Sequence, residues 1–116
     1  MRTAVIALGC CLAALGRSPI EKAPQASVNR GNPEADNEET RRAGAKLYLR
    51  ECAACHGADR RGIGKAPGLD RDDIRQGSPG ALSWVLRNGS LRRGMPSFAH
   101  LPEPERWQII RYLQAH

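Results

Sequence analysis

Large aromatic and apolar side chains are scarce in this sequence. Five aromatic residues occur in 116, and only one of them is phenylalanine. No segment alternates apolar and polar residues cleanly enough to make a half-buried strand, which excludes a sheet-based fold and leaves an all-α class. No apolar run spans a bilayer comfortably: the longest, from Thr3 to Leu15, is too short. Cysteine is sparse as well. Of four, Cys10 and Cys11 fall in that apolar leader, so Cys52 and Cys55 are the pair left to the rest of the chain. A second paired motif that would complete a four-cysteine metal site is missing.

The leader has a recognisable layout. Arg2 gives a positive start, an apolar core follows, and Ala14-Leu15-Gly16 offers small residues for a peptidase. Residues 1–16 are therefore read as a secretory signal peptide, which implies export to the periplasm. Retention as a short anchor and lipid attachment at Cys10 are the alternatives. Residues 17–36 contain few large apolar side chains and several Pro, Asn, Gln and Ser, and are read as a flexible tether. Residues 37–116 form the one folded domain. From Thr40 onward it carries fourteen Lys or Arg against seven Asp or Glu, a net charge of +7. Domains this small generally need a disulfide, a metal or another staple, so something besides side chains is expected to fill the middle.

Punctuation marks about four short helices. The first is capped near Asp36 or Asn37, has Glu38 and Glu39 in its first turn, and runs through Gly44, Leu47 and Tyr48. A Gly-rich, charged loop follows Cys55, and "DRDDIRQ" is a candidate short turn. Ser78 caps the next helix, Pro79 takes its first position, Leu82, Val85 and Leu86 make its apolar stripe, and Gly89 ends it. The last begins near Pro102 or Glu103, with Trp107, Ile110 and Leu113 at helical spacing.

"CAACH", residues 52–56, admits three chemistries. Two thiols three residues apart on a helical turn can form thioethers to the vinyl groups along one edge of a haem, which brings the next residue beneath the iron. Cys52 and Cys55 would be the anchors and His56 the proximal ligand. A thioredoxin-like dithiol would need its first cysteine at a helix N-terminus after a strand, and here the pair closes a helix. A zinc site would need a fourth ligand from His100, His116 or a carboxylate, with the adjacent Cys55 and His56 poorly aimed at one tetrahedral ion. In an exported chain with so thin a core, haem is favoured. The single methionine beyond the start, Met95, stands in "RRGMPSFAH", where Gly94 permits close approach and Pro96 fixes the turn. Its thioether is the expected distal ligand, with His100 as rival. An iron filled on both axial sides passes electrons but has no vacant place for a substrate.

These residues together resemble the class I c-type cytochromes, the small bacterial single-haem domains that serve as electron carriers or as modules of dehydrogenases and terminal oxidases. The resemblance spans about Thr40 to Leu113 and rests on Gly44 and Tyr48, "CAACH", "APGL", "MPSF" and the terminal "WQIIRYL" in that order. It implies the cytochrome c fold around one covalent haem c. It also implies that Pro67 offers its carbonyl to the Nδ1 hydrogen of His56 and that Leu69 presses on the proximal haem face. Trp84 would lie near the haem edge or in the core, and Arg92 and Arg93 near the propionates or a partner. The expected function is exported electron transfer by a monomer, without catalysis of its own. The domain's positive charge points to redox partners with an acidic docking face. The alternative is a haem subunit of a larger dehydrogenase or terminal oxidase, peripheral to a membrane. Labile Met ligation with small-ligand sensing is a further possibility. The scattered basic residues and few aromatics argue against nucleic acid as a partner.

Overall fold

A computed structural model describes residues 18–115; the segment expected to be a signal peptide, with Cys10, and His116 lie outside the described residues. Six α-helices follow in order: α1 Gln25–Val28, α2 Glu38–Glu51, α3 Ala53–His56, α4 Asp72–Arg75, α5 Pro79–Asn88 and α6 Glu103–Leu113. Two short 3-10 turns, Pro19–Lys22 and Leu91–Arg93, complete the set. The described residues contain no strand, only isolated bridges between Ile63 and Ala66 and between Ser90 and Met95.

The helix boundaries follow from local chemistry. Thr40 N donates to the Asn37 side chain at 2.8 Å, so one orphan amide at the start of α2 is satisfied. Ser78 serves α5 twice: its Oγ accepts from Ala81 N at 3.1 Å and donates to the Val28 carbonyl at 2.6 Å. Gly89 ends α5 with φ at +69°, a region that side chains rarely enter.

α2 and α6 cross in the most extensive contact of the fold. Gly44 makes the crossing possible, because a Cβ there would sit 2.0 Å from the Gln108 carbonyl oxygen. Against that backbone contact pack Tyr48 and, from α6, Trp107, Ile109 and Ile110, the most deeply buried large side chains. Leu82 and Leu86 of α5, Ile74 of α4 and Leu101 close the core, and Cys52 belongs to the same buried cluster. Burying each aliphatic side chain of this kind is worth about 1.5–3 kcal/mol.

Residues 18–36 are not the loose tether that their composition implies. They form a strap across α5 and α6. Arg111 donates to the Glu34 carbonyl at 2.8–2.9 Å, and Asn32 Nδ2 donates to the Trp107 carbonyl at 2.9 Å. Arg30 pairs with Glu103 at 3.1 Å, and Ile20 packs against the buried cluster. A Cβ on Gly80 would meet the Ser27 carbonyl at 1.8 Å, so a glycine on α5 is what admits the strap. Polar side chains reaching the strap's backbone hold it, where composition alone looks for apolar burial.

Candidate functional site

The end of α2 builds one wall of the site. Cys52 terminates α2, its backbone N–H donating a hydrogen bond to the Tyr48 carbonyl at 2.8 Å, and its own carbonyl accepts from Cys55 N and His56 N at 3.2 and 3.0 Å. Cys52, Cys55 and His56 thus share one tight turn. The Tyr48 hydroxyl donates to the Gly57 carbonyl at 2.7 Å and fixes the exit of that turn to α2. Burial raises the Tyr48 pKa to about 12, with the negative forms of Cys52 and Tyr112 adding to it.

Beyond Gly57 the chain doubles back. Gly62 N donates to the His56 carbonyl at 2.7 Å and Leu69 N to the Arg60 carbonyl at 2.7 Å. Gly62 has φ at +89°, and a Cβ there would lie 2.6 Å from the Ala66 oxygen and 2.9 Å from the Pro67 carbonyl carbon. This close turn carries Pro67 over the histidine: His56 Nδ1 lies 2.8 Å from the Pro67 carbonyl oxygen. A carbonyl can only accept, so Nδ1 carries the hydrogen and Nε2 is the nitrogen left with a lone pair for a metal.

Met95 stands in the loop between α5 and α6. Ser90 and Met95 exchange backbone hydrogen bonds of 2.9 and 3.0 Å, closing the loop over the Leu91–Arg93 turn, with Gly94 left-handed at φ +84°. Phe98 N donates to the Leu86 carbonyl at 2.8 Å and ties the loop to α5. Met95, Leu69, Phe98 and Ala53 are all half-buried against the cluster that contains Cys52. His100, the rival distal ligand, is exposed and lies 3.6 Å from Glu51. Trp84 stands on the α5 face turned to the strap, outside the buried cluster, and Arg92 and Arg93 are exposed beside it.

The thiols differ. Cys52 is buried and Cys55 exposed. Burial, then the neighbouring Glu51 and Cys55 charges, push the Cys52 thiol up to about 12, so the thiolate that disulfide exchange needs is suppressed. Among the described residues no three His, Cys, Asp or Glu side chains gather as a metal cluster. A buried and an exposed thiol on one turn, an imidazole oriented through Nδ1 and a half-buried apolar rim with a thioether all fit a haem joined at its edge.

A family profile described as "Cytochrome C oxidase, cbb3-type, subunit III" matches residues 39–113. The chain belongs to this family. It is a class I c-type cytochrome domain, all-helical, and an electron-transport domain. Domains of this family bind haem c covalently through cysteine, and this one supplies Cys52 and Cys55. No curated protein matches the chain. Two features of this cytochrome domain escape a reading of its sequence: the strap, and the buried Arg106 of α6, whose charge breaks the apolar pattern.

Proposed function

We propose that the chain is an exported electron-transfer cytochrome of the periplasm, whose haem c would be held by thioethers to Cys52 and Cys55 and whose iron would be bound by His56 Nε2 and the Met95 sulfur. The bound haem supplies one-electron cycling between ferric and ferrous iron. Pro67 orients the imidazole and raises its basicity, Leu69 and Phe98 exclude water, and Met95 favours the ferrous form. The observation that carries the reading is the 2.8 Å approach of His56 Nδ1 to the Pro67 carbonyl within the matched CAACH region. The domain acts as a carrier, a monomer docking through its basic surface on acidic redox partners, and its rate of reduction falls as salt rises. The family description favours a second reading, a haem subunit of a terminal oxidase at a membrane. No helix among the described residues is long and apolar enough to cross one.

The deciding experiment is a pyridine haemochrome spectrum on protein made with haem-maturation machinery. A spectrum of a haem with two thioether links is expected; folded protein without a Soret band refutes the proposal. Co-purification from membranes with oxidase subunits separates the second reading from the first.

A further inference from the structure

Between the strap and the helices lies a cavity of about 330 Å³, at the low end of the range for ligand clefts. Arg30 of the strap, Ser83, Trp84 and Arg87 of α5, and Glu103 and Arg106 of α6 line it. None of its walls comes from the Cys52–Leu69 region or from Met95.

The charges in this cavity do not balance. Glu103 is its one carboxylate, and that group is engaged by Arg30 at 3.1 Å and by Trp107 Nε1 at 3.3 Å. Arg87 and Arg106 form no salt bridge among the described residues, and Glu103, already held by Arg30 and Trp107, acts on Arg106 only as a charge at longer range. Arg106 is only 8% exposed; its Nη1 donates to the Leu101 carbonyl and, more weakly, to those of Phe98 and Ala99. Those acceptors are neutral, and the buried Arg106 Nε has no hydrogen-bond partner. An ionised group taken from water with no counter-charge in direct contact is costly, and an unpaired N–H beside it adds to the cost.

We propose that this cavity binds a small, doubly charged oxyanion between Arg87 and Arg106. Guanidinium forks match the spacing of phosphate and carboxylate oxygens, and Ser27 of the strap and Ser83 of α5, which also line the cavity, can add neutral donors. Such an anion adds a charged link between the strap, α5 and α6 to the hydrogen bonds of Asn32, Ser78 and Arg111 and the Arg30–Glu103 pair.

The test is calorimetric titration of the haem-loaded full chain with inorganic phosphate and, separately, with succinate, at an ionic strength fixed with chloride. One of the two anions saturates a single site in the millimolar range or tighter; the one that does so names the source of the oxyanion. Arg87→Gln, at an exposed position where folding is readily checked by circular dichroism, weakens that binding about tenfold or more, the worth of one charge-assisted hydrogen bond. Arg92→Gln, outside the cavity, leaves it unchanged, and the haemochrome spectrum reads haem attachment separately, so failure here is distinct from failure of the haem assignment. Absence of saturation by about 10 mM with both anions, or undiminished binding in Arg87→Gln, overturns the proposal.

Discussion

Replacing Gly44 with alanine sets two effects of opposite sign against each other. In an exposed helix the change would add about 0.5–1 kcal/mol of stability through backbone entropy. Here the new methyl would fall 2.0 Å from the Gln108 oxygen, 2.7 Å from its carbonyl carbon and 2.9 Å from Tyr112 Cβ. Two of these are backbone atoms of α6 and cannot rotate away, so α2 and α6 must separate by about 1.4 Å to restore ordinary contact. A gap of 0.5–1 Å already forfeits a quarter to a half of the dispersion well. The side chains at the crossing are Tyr48, Trp107, Ile109 and Ile110, each worth about 2 kcal/mol of burial. Losing that share across them costs roughly 2–4 kcal/mol, which leaves a net loss of about 1–3 kcal/mol after the helix gain. For a domain of this size the melting temperature should fall by roughly 5–20 °C. Thermal unfolding of the haem-loaded protein, followed by far-ultraviolet circular dichroism, reads this directly. A Gly44→Ala protein as stable as the parent, or more so, would refute the backbone-contact argument.

The remaining predictions rest on other features. Met95→Ala should lower the midpoint potential, on the order of 100 mV, and open the reduced iron to carbon monoxide; an unaltered potential and spectrum would exclude Met95 as distal ligand. Tyr48 keeps its proton to about pH 12 when folded and releases it near 10 when unfolded, so the stability it lends is whole below pH 10 and lost as pH rises towards 12. Tyr48→Phe should flatten that alkaline loss while costing about 1 kcal/mol at neutral pH for the bond to Gly57; denaturant midpoints measured across pH 7–12 decide it. Deleting residues 18–34 should destabilise the protein by about 2–5 kcal/mol, through loss of the Arg111, Asn32 and Ser78 hydrogen bonds to and from the strap. A deletion without effect on chemical denaturation would restore the picture of a tether.

The helices could be read from the sequence because their signals are local. Asn37 and Ser78 cap the helices that they precede, Gly89 ends α5, and the apolar spacing of α6 matches its buried face. The short turn suggested by "DRDDIRQ" exists as α4, where Ile74 supplies the buried residue. α1 and the strap could not be read in this way. Their anchors pair single side chains, Asn32, Ser78 and Arg111, with carbonyl groups far along the chain, and no local pattern announces those pairings or the close approach at Gly80. Arg106 was equally hidden, since helical periodicity assigns an arginine to solvent while the Phe98–Leu101 carbonyls hold this one inside. The CAACH turn was plain in the sequence, and resemblance alone suggested the Pro67 carbonyl. The path that brings it to His56 depends on Gly62 and on the hydrogen bond from Leu69 to Arg60, neither of which a spacing pattern reveals.

Three of the four most deeply buried large side chains, Trp107, Ile109 and Ile110, belong to α6, the final helix. A growing polypeptide therefore cannot assemble its interior until that helix has left the ribosome, and every earlier segment stays open to whatever handles it first. For a domain that takes a covalent porphyrin, delayed folding of this kind keeps the CAACH turn within reach of the enzymes that attach it.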